Sequence, residues 1–239
     1  MNLPLVDTFS SPYEAWEERN ATLNEVLAAK NPHLRVRIRH IASISSAYDA
    51  AVYMATVGAD PGLGRFINAA LDQSVAHKSW QQAMPPKTPD ELSRYQKFYP
   101  HCNFQQVSEE IAAVGHLLSD GQSLFHAGLW PNGSHLITDR PLSTTFCPQI
   151  ALRNAAHQGK AYDASQIDLF VLKANNPRTK VFGYKRKGTN LGHENEVVFA
   201  AGAALSLTST VTVNSNYPVG KYGCPDKQIV VRVLGVDIS

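Results

Sequence analysis

The stretch Leu205-Ser-Leu-Thr-Ser-Thr-Val-Thr-Val213 settles the fold class. Its β-branched residues favour extended backbone, and its period of two separates a mostly apolar face from a hydroxyl-lined one, the pattern of a half-buried strand. Four more short β-branched runs flank it in this half of the chain: Ile167 to Leu172, Lys180 to Tyr184, Glu196 to Ala200 and Ile229 to Val236. Before Gly121 the texture is helical. Ser11-Pro12-Tyr13-Glu14 combines an N-cap serine, a first-turn proline and a glutamate that can reach back to the cap, so a helix is expected to start there. Trp16, Leu23, Val26 and Leu27 supply its apolar face, and Asn31-Pro32 closes it. Ser46 to Leu71 reads as helix-rich, with a loop at Gly58-Ala-Asp-Pro-Gly-Leu-Gly64. Gly62 and Gly64 do not make a phosphate loop, because no apolar strand precedes them and no Lys-Ser/Thr comes after. The proline-rich, polar stretch Ala83 to Pro100 reads as a connecting loop. A last helix is expected from about Ser108, with Ile111, Val114, Leu117 and Leu118 at helical spacing, ending at Ser119-Asp120-Gly121. A helical N-terminal half followed by a β-rich half is the α+β pattern.

Composition sets the outer bounds. The 239 residues are 44% hydrophobic and 18% charged, an ordinary globular balance that argues against disorder or a coiled coil. A net charge of +2, with an isoelectric point near 8.4, is too mild to demand a nucleic-acid partner. Two basic clusters keep that partner in view. Arg35, Arg37 and Arg39 alternate onto one side of an expected strand, and Lys185-Arg186-Lys187 forms the second; without interleaved aromatics, both read as solvated faces. The first twenty residues have no basic start and no continuous apolar segment, which argues against a secretory signal or a membrane span and for a cytoplasmic place of synthesis. Delivery into another cell by a dedicated machine would leave no trace in such a sequence. Cys102, Cys147 and Cys224 are far apart, odd in number and outside CxxC spacing, so free thiols are expected, and His126, His135 and Cys147 show no metal-ligand spacing.

Three local features carry chemistry in order along the β-rich half: Leu124-Phe-His126-Ala-Gly128, Leu142-Ser143-Thr-Thr-Phe146 and Gly192-His-Glu194-Asn-Glu196-Val-Val-Phe199. Glu194 and Glu196 flank one residue at an expected strand start, so their side chains should project to one side, where mutual repulsion raises the proton affinity of at least one. Such a pair suits a site that stabilises positive charge. Each feature alone has a plainer reading: surface acids at a strand start, hydroxyls that bond the backbone at a strand end, and a structural histidine.

Taken together, their order and spacing resemble the mono-ADP-ribosyltransferase family, in its arginine-serine-glutamate branch of bacterial toxins and related vertebrate enzymes. That family has a strand ending in aromatic-Arg-Gly, a later Ser-Thr-Ser strand, and a Glu-x-Glu after a variable loop. The flanks agree: Tyr48 through Phe66-Ile-Asn-Ala-Ala-Leu71 is similar to the family's helical segment before the first strand, and Pro148-Gln-Ile-Ala151 to its segment after the serine motif. The similarity spans about Ile41 to Val236. One departure is clear, since His126 stands where the family has arginine, as in the diphtheria-toxin and poly-ADP-ribose polymerase branch.

The resemblance implies an ADP-ribosyltransferase-like split β-sandwich, with residues 1–40 as an N-terminal helical arm and 41–239 as the catalytic domain. It implies NAD as the substrate, with no metal. Glu196 would stabilise the oxocarbenium-like transition state through the ribose 2′-hydroxyl, Ser143 would orient Glu196, and Glu194 would act on the acceptor as general base. His126 would hold a ribose hydroxyl and the Ala127 backbone the nicotinamide amide, with Gly128 and Thr144 beside them. Phe146 or Tyr184 would stack on nicotinamide. The loop from Lys185 to His193 would shape the choice of acceptor. That acceptor is expected to be a protein side chain, with arginine favoured by the first glutamate; the rival expectations are RNA or DNA, and an inactive binding subunit. The same family likeness makes the chain a candidate toxin or effector, with a neutralising antitoxin or immunity protein as partner.

Overall fold

A computed structural model describes residues 2–186 and 191–239. It departs from the sequence reading at its first elements. After a two-residue strand β1 (Asn2–Leu3), Ser11-Pro12 opens no helix: Tyr13–Asn20 is a strand, β2, and the first helix, α1, spans only Leu23–Ala29. The capping box belongs to Thr22 and Glu25, each of which satisfies the other's backbone N–H. The influence that overrides the expected helix is non-local. β2 pairs antiparallel with β3 (Arg35–Ile44), and the acids of one meet the bases of the other: Glu17 with Arg39 at 3.1 Å, Glu14 with His40 at 2.5 Å, Glu18 with Arg35 at 3.8 Å. Arg37 sits 5.1 Å over the Trp16 ring. The arginines of β3 are thus solvated as expected, but they are matched to β2. Residues 2–40 are therefore no helical arm. They are mostly strand and extended chain, and Leu3, Val6 and Phe9 enter the same core as the rest of the protein.

Five helices come next: α2 (Ala47–Val57), α3 (Pro61–Gln73), α4 (Val75–Ala83), α5 (Asp90–Phe98) and α6 (Phe104–Val114). Asp60 caps α3 by accepting from Gly62 N at 2.7 Å, so Gly62 and Gly64 lie inside a helix and the expected loop shrinks to Gly58–Asp60. The Ala83–Pro100 stretch, expected to be a loop, contains α5. Its first turn has no side-chain cap of its own; Glu110 on α6 accepts from the Glu91 and Leu92 amides instead. α6 stops at Val114, short of the expected end. Gly115 lies so close to the Ile111 and Val181 carbonyls that a Cβ there would sit about 2.5 Å from them, and Leu117–Leu118 then forms β4, paired parallel with β1.

The second half supplies β5 (Ser123–Gly128), β6 (His135–Ile137), β7 (Leu142–Thr145), α7 (Pro148–Ala156), α8 (Lys160–Ala164), β8 (Gln166–Ala174), β9 (Val181–Gly183), β10 (Glu196–Phe199), β11 (Ala204–Val219) and β12 (Lys227–Ile238). Each of the five expected β runs falls on a strand, within a residue for β9 and β10, whereas β8 and β12 run up to two residues past the expected ends and β11 runs six residues past Val213. Eight strands make one mixed sheet in the order β6-β11-β12-β8-β5-β7-β10-β9, in which only β12 and β8 run parallel. The architecture is thus mixed α/β around a large mixed sheet. β5 and β7 meet at a single residue pair, Phe125 with Thr145, so the sheet's two halves part beyond that rung. Among the described residues, no helix is long and apolar enough to cross a membrane.

Candidate active site

The parting of β5 from β7 opens a cleft of about 970 Å³, at the upper end of the usual range for small-molecule sites. His126, Ala127 and Gly128 line it from β5, Ser143, Thr144 and Thr145 from β7, and Glu194 and Glu196 from the turn into β10. Three motifs spread along the second half of the chain therefore share one cavity.

Ser143 and Glu196 are diagonal neighbours on one face of the β7–β10 ladder, because Ser143 pairs with Val198 and Thr145 with Glu196. The Ser143 hydroxyl donates to Glu196 Oε1 at 2.5 Å. Glu196 Oε2 is buried without a hydrogen bond of good geometry, with Gln96 Nε2, itself unpaired, close enough to favour the charged carboxylate. Burial pushes the Glu196 carboxyl up to about 7; repulsion from Glu194 adds to this, and the Ser143 and Gln96 side chains oppose it. The sequence expectation that one of the two acids binds its proton more tightly is thus met, with desolvation as the larger cause. The expected geometry is not met. Glu194 lies in a 3₁₀ turn, Gly192–Glu194, and Asn195 is left-handed at φ +51°, so strand alternation does not align the two glutamates. Glu194 reaches the cleft from this turn, its carbonyl accepting from Thr145 Oγ1 at 2.6 Å and its carboxylate 3.7 Å from the Arg153 guanidinium.

His126 is fixed by its own neighbours. Its Nδ1 lies 2.7 Å from the Ser143 carbonyl, which can only accept, so Nδ1 carries the hydrogen and Nε2 keeps its lone pair. Burial lowers its pKa and keeps the ring neutral. The absence of a side chain at Gly128 leaves room beside Nε2, since a Cβ there would sit 3.4 Å from that nitrogen. The Thr144 hydroxyl donates to the Val197 carbonyl at 2.6 Å and ties β7 to β10.

Phe146 and Tyr184 do not line the cleft. Phe146 continues the β7 alternation onto the side opposite Ser143, is 3% exposed, and packs on His77 and Trp80. Tyr184 is equally buried and donates its hydroxyl to the Leu92 carbonyl at 2.7 Å. Neither ring has a face free for a ligand. Besides Phe125 of β5, the Tyr and Phe rings on the cavity lining are Tyr95 and Tyr99, 5.5 Å apart, with Gln96 between them in sequence. Gln96 Nε2, like Glu196 Oε2, is buried without a hydrogen bond of good geometry. The sequence reading misses these residues because the prolines around α5 suggest a loop, although Leu92, Tyr95 and Tyr99 stand at helical spacing. Of the second basic cluster, Lys185 bonds the Pro86 carbonyl, Arg186 turns inward, and Lys187 lies outside the described residues, as does the middle of the Lys185–His193 loop. Among the described residues, no group of His, Cys, Asp and Glu is arranged to hold a metal ion.

No family model matches the chain, and no curated protein matches it. Solved structures that it is similar to include ADP-ribosyltransferase toxins. One is Vis toxin of Vibrio splendidus, 14% identical over 81% of this chain and 74% of that one, with a TM-score of 0.33. Another is the enzymatic component C2-I of the Clostridium botulinum C2 toxin, 8% identical over 67% of this chain but 45% of C2-I, with a TM-score of 0.39. A third is exoenzyme S of Pseudomonas aeruginosa, solved with human 14-3-3 protein beta and carba-NAD, 13% identical over 78% and 73%, with a TM-score of 0.32.

Proposed function

We propose that this chain is an NAD-dependent mono-ADP-ribosyltransferase that passes ADP-ribose to a macromolecular acceptor, with the catalytic unit in residues 41–239. The observation that carries the reading is the half-satisfied Glu196: one oxygen is held by Ser143, the other is buried without a hydrogen bond of good geometry in a cleft shared with a neutral histidine. A buried acceptor left unpaired costs on the order of 1–3 kcal/mol, which a ligand hydroxyl would recover.

In the reaction, the bond between nicotinamide and ribose C1′ breaks, and its electron pair leaves with nicotinamide. Positive charge grows on the ribose, and the ionised Glu196, bonded to the 2′-hydroxyl, stabilises it in a site shielded from water. His126 Nε2 accepts from another ribose hydroxyl, with the Ala127 and Gly128 backbone along the nicotinamide amide. Tyr99, partly exposed at the cleft, takes the stacking role that Phe146 and Tyr184 cannot fill. The acceptor then attacks C1′ and gives its proton to Glu194, which stands nearer solvent at 20% side-chain exposure. A protein side chain, arginine first, is the acceptor we favour, because Glu194 is a second carboxylate placed to bind and deprotonate it. We place the chain among toxins or effectors, acting in a cytoplasm and restrained in its producer by an antitoxin or immunity protein.

Incubation of purified protein with labelled NAD and lysate tests this. Nicotinamide is released and label transferred, and Glu196→Gln abolishes both while the variant stays folded. No nicotinamide release by the wild type, with or without lysate, would defeat the reading in favour of an inactive binding subunit. Label sensitive to nuclease and not to protease would move the acceptor to RNA or DNA.

A further inference from the structure

We propose that Arg186 and Asn68 are positioning residues for the paired glutamates, acting through Asn195, the residue between them. The inference rests on the reading of Glu194 and Glu196 as the catalytic pair. Asn195 is 4% exposed and left-handed, a conformation that Asn tolerates better than most side chains but that still needs support from its surroundings. Both ends of its amide are held. Arg186 Nε donates to Asn195 Oδ1 at 2.6 Å, and Asn195 Nδ2 donates to Asn68 Oδ1 at 2.9 Å. The same guanidinium donates to the Asn68 side chain at 2.9 Å, the Asn68 carbonyl at 3.3 Å and Asp72 Oδ1 at 2.8 Å. Asn68 and Asp72 are one turn apart on α3, so a single side chain, itself 13% exposed, fastens the Glu-Asn-Glu turn to that helix.

The fastening matters because alternation does no alignment here. In extended backbone, residues two apart project to one side by default. Asn195 breaks that pattern, yet both carboxylates line one cleft. The direction of Glu194 relative to Glu196 therefore depends on the backbone angles of Asn195, which the Arg186–Asn68 clamp holds. Thr145 to the Glu194 carbonyl and Ser143 to the Glu196 carboxylate lie on either side of Asn195; at Asn195 itself the backbone makes two long bonds, from the Phe146 amide to its carbonyl at 3.3 Å and from its amide to the Gly192 carbonyl at 3.4 Å, and the clamp adds the shorter bonds to its side chain.

Three variants loosen the clamp in different ways: Asn195→Gly keeps access to positive φ while removing the amide, Arg186→Met keeps the stem while removing the donors, and Asn68→Ala removes the α3 anchor. Two measurements are made on each. The kinetics of ADP-ribose transfer should show kcat falling on the order of ten- to a hundredfold with KM for NAD little changed and NAD hydrolysis less affected, because misplacement of Glu194 costs the acceptor step and not the binding of NAD. The double variant Arg186→Met with Asn195→Gly should be no slower than the worse single, as expected for one unit. Carbon-detected NMR of the Glu196 carboxyl, with no NAD present, should show its midpoint moving down from about 7, since repulsion from Glu194 is relieved and the site opens to water. The groups facing Glu196 are Glu194, Ser143, Gln96, Tyr95 on α5 and Tyr184 after β9, and Arg153 faces Glu194. If Arg186→Met does not fold, Asn195→Gly still decides the matter. An unchanged midpoint and kcat in Asn195→Gly, or lower melting temperatures with both readouts intact, overturn the clamp. A wild type that releases no nicotinamide, while the midpoint still moves in the variants, instead overturns the proposed activity.

Discussion

Replacing Glu196 by Gln should stabilise the protein at alkaline pH while removing the proposed activity. The carboxyl sits in a buried site that lifts its pKa from an ordinary 4.5 to about 7. For an acid raised in this way, the folded state holds the proton more tightly than the unfolded chain. The resulting contribution is fully present below about pH 4.5 and is lost as pH rises through about 7. At about 1.36 kcal/mol per pH unit, the wild type loses about 3 kcal/mol from this one group between about pH 4.5 and about pH 8.5. Gln has nearly the same shape, can still accept from the Ser143 hydroxyl, and does not titrate. The stability difference between Glu196→Gln and wild type should therefore grow by about 3 kcal/mol in the variant's favour over that interval. Urea unfolding of both proteins at the two ends of the range measures it, and comparing the two chains cancels the other carboxylates. A difference that stays constant with pH, or that grows the other way, would refute the claim that Glu196 is held ionised at a cost in its cleft. An enzyme that keeps a strained carboxylate for its transition state is expected to trade stability for rate in this way.

Glu194→Gln should preserve NAD hydrolysis better than transfer, and an equal loss of both in parallel assays would remove Glu194 from the acceptor side. His126→Ala should weaken NAD binding, with an unchanged affinity by calorimetry excluding Nε2 as a ribose contact. Because burial lowers the His126 pKa, NMR of its ring should show no charging as pH falls through the ordinary histidine range, and a titration there would overturn its neutrality. Phe146→Leu should lower stability by about 1–2 kcal/mol, as a core substitution that loses ring contacts, without moving KM for NAD. A selective KM effect would return Phe146 to the site.

Short windows of sequence were enough to mark five strands of the second half and the polar residues that line its cleft. A period of two, β-branched residues and hydroxyls at fixed offsets are local signals, and Leu205–Val213, the Ser143 motif and the Glu194–Glu196 pair carry them in a few consecutive residues. Features that depend on partners distant in the chain emerged only on folding. Ser11-Pro12 satisfies the local grammar of a helix start, yet β2 is a strand because its glutamates face the arginines and histidine of β3. α5 is illegible because its cap comes from Glu110 and not from its own first turn. Tyr95, Gln96 and Tyr99 enter the cleft with it, while Phe146 and Tyr184, the aromatics expected to stack on nicotinamide, are drawn into the core by Trp80, His77 and the Leu92 carbonyl. The relation of the two glutamates is likewise set from outside. Their spacing suggests strand alternation, but Asn195 turns left-handed between them, and the groups that hold it there lie on α3 and in the segment after β9. Local sequence encodes backbone preference and chemical type; which side chains face a common cavity depends on long-range pairing that no short window contains.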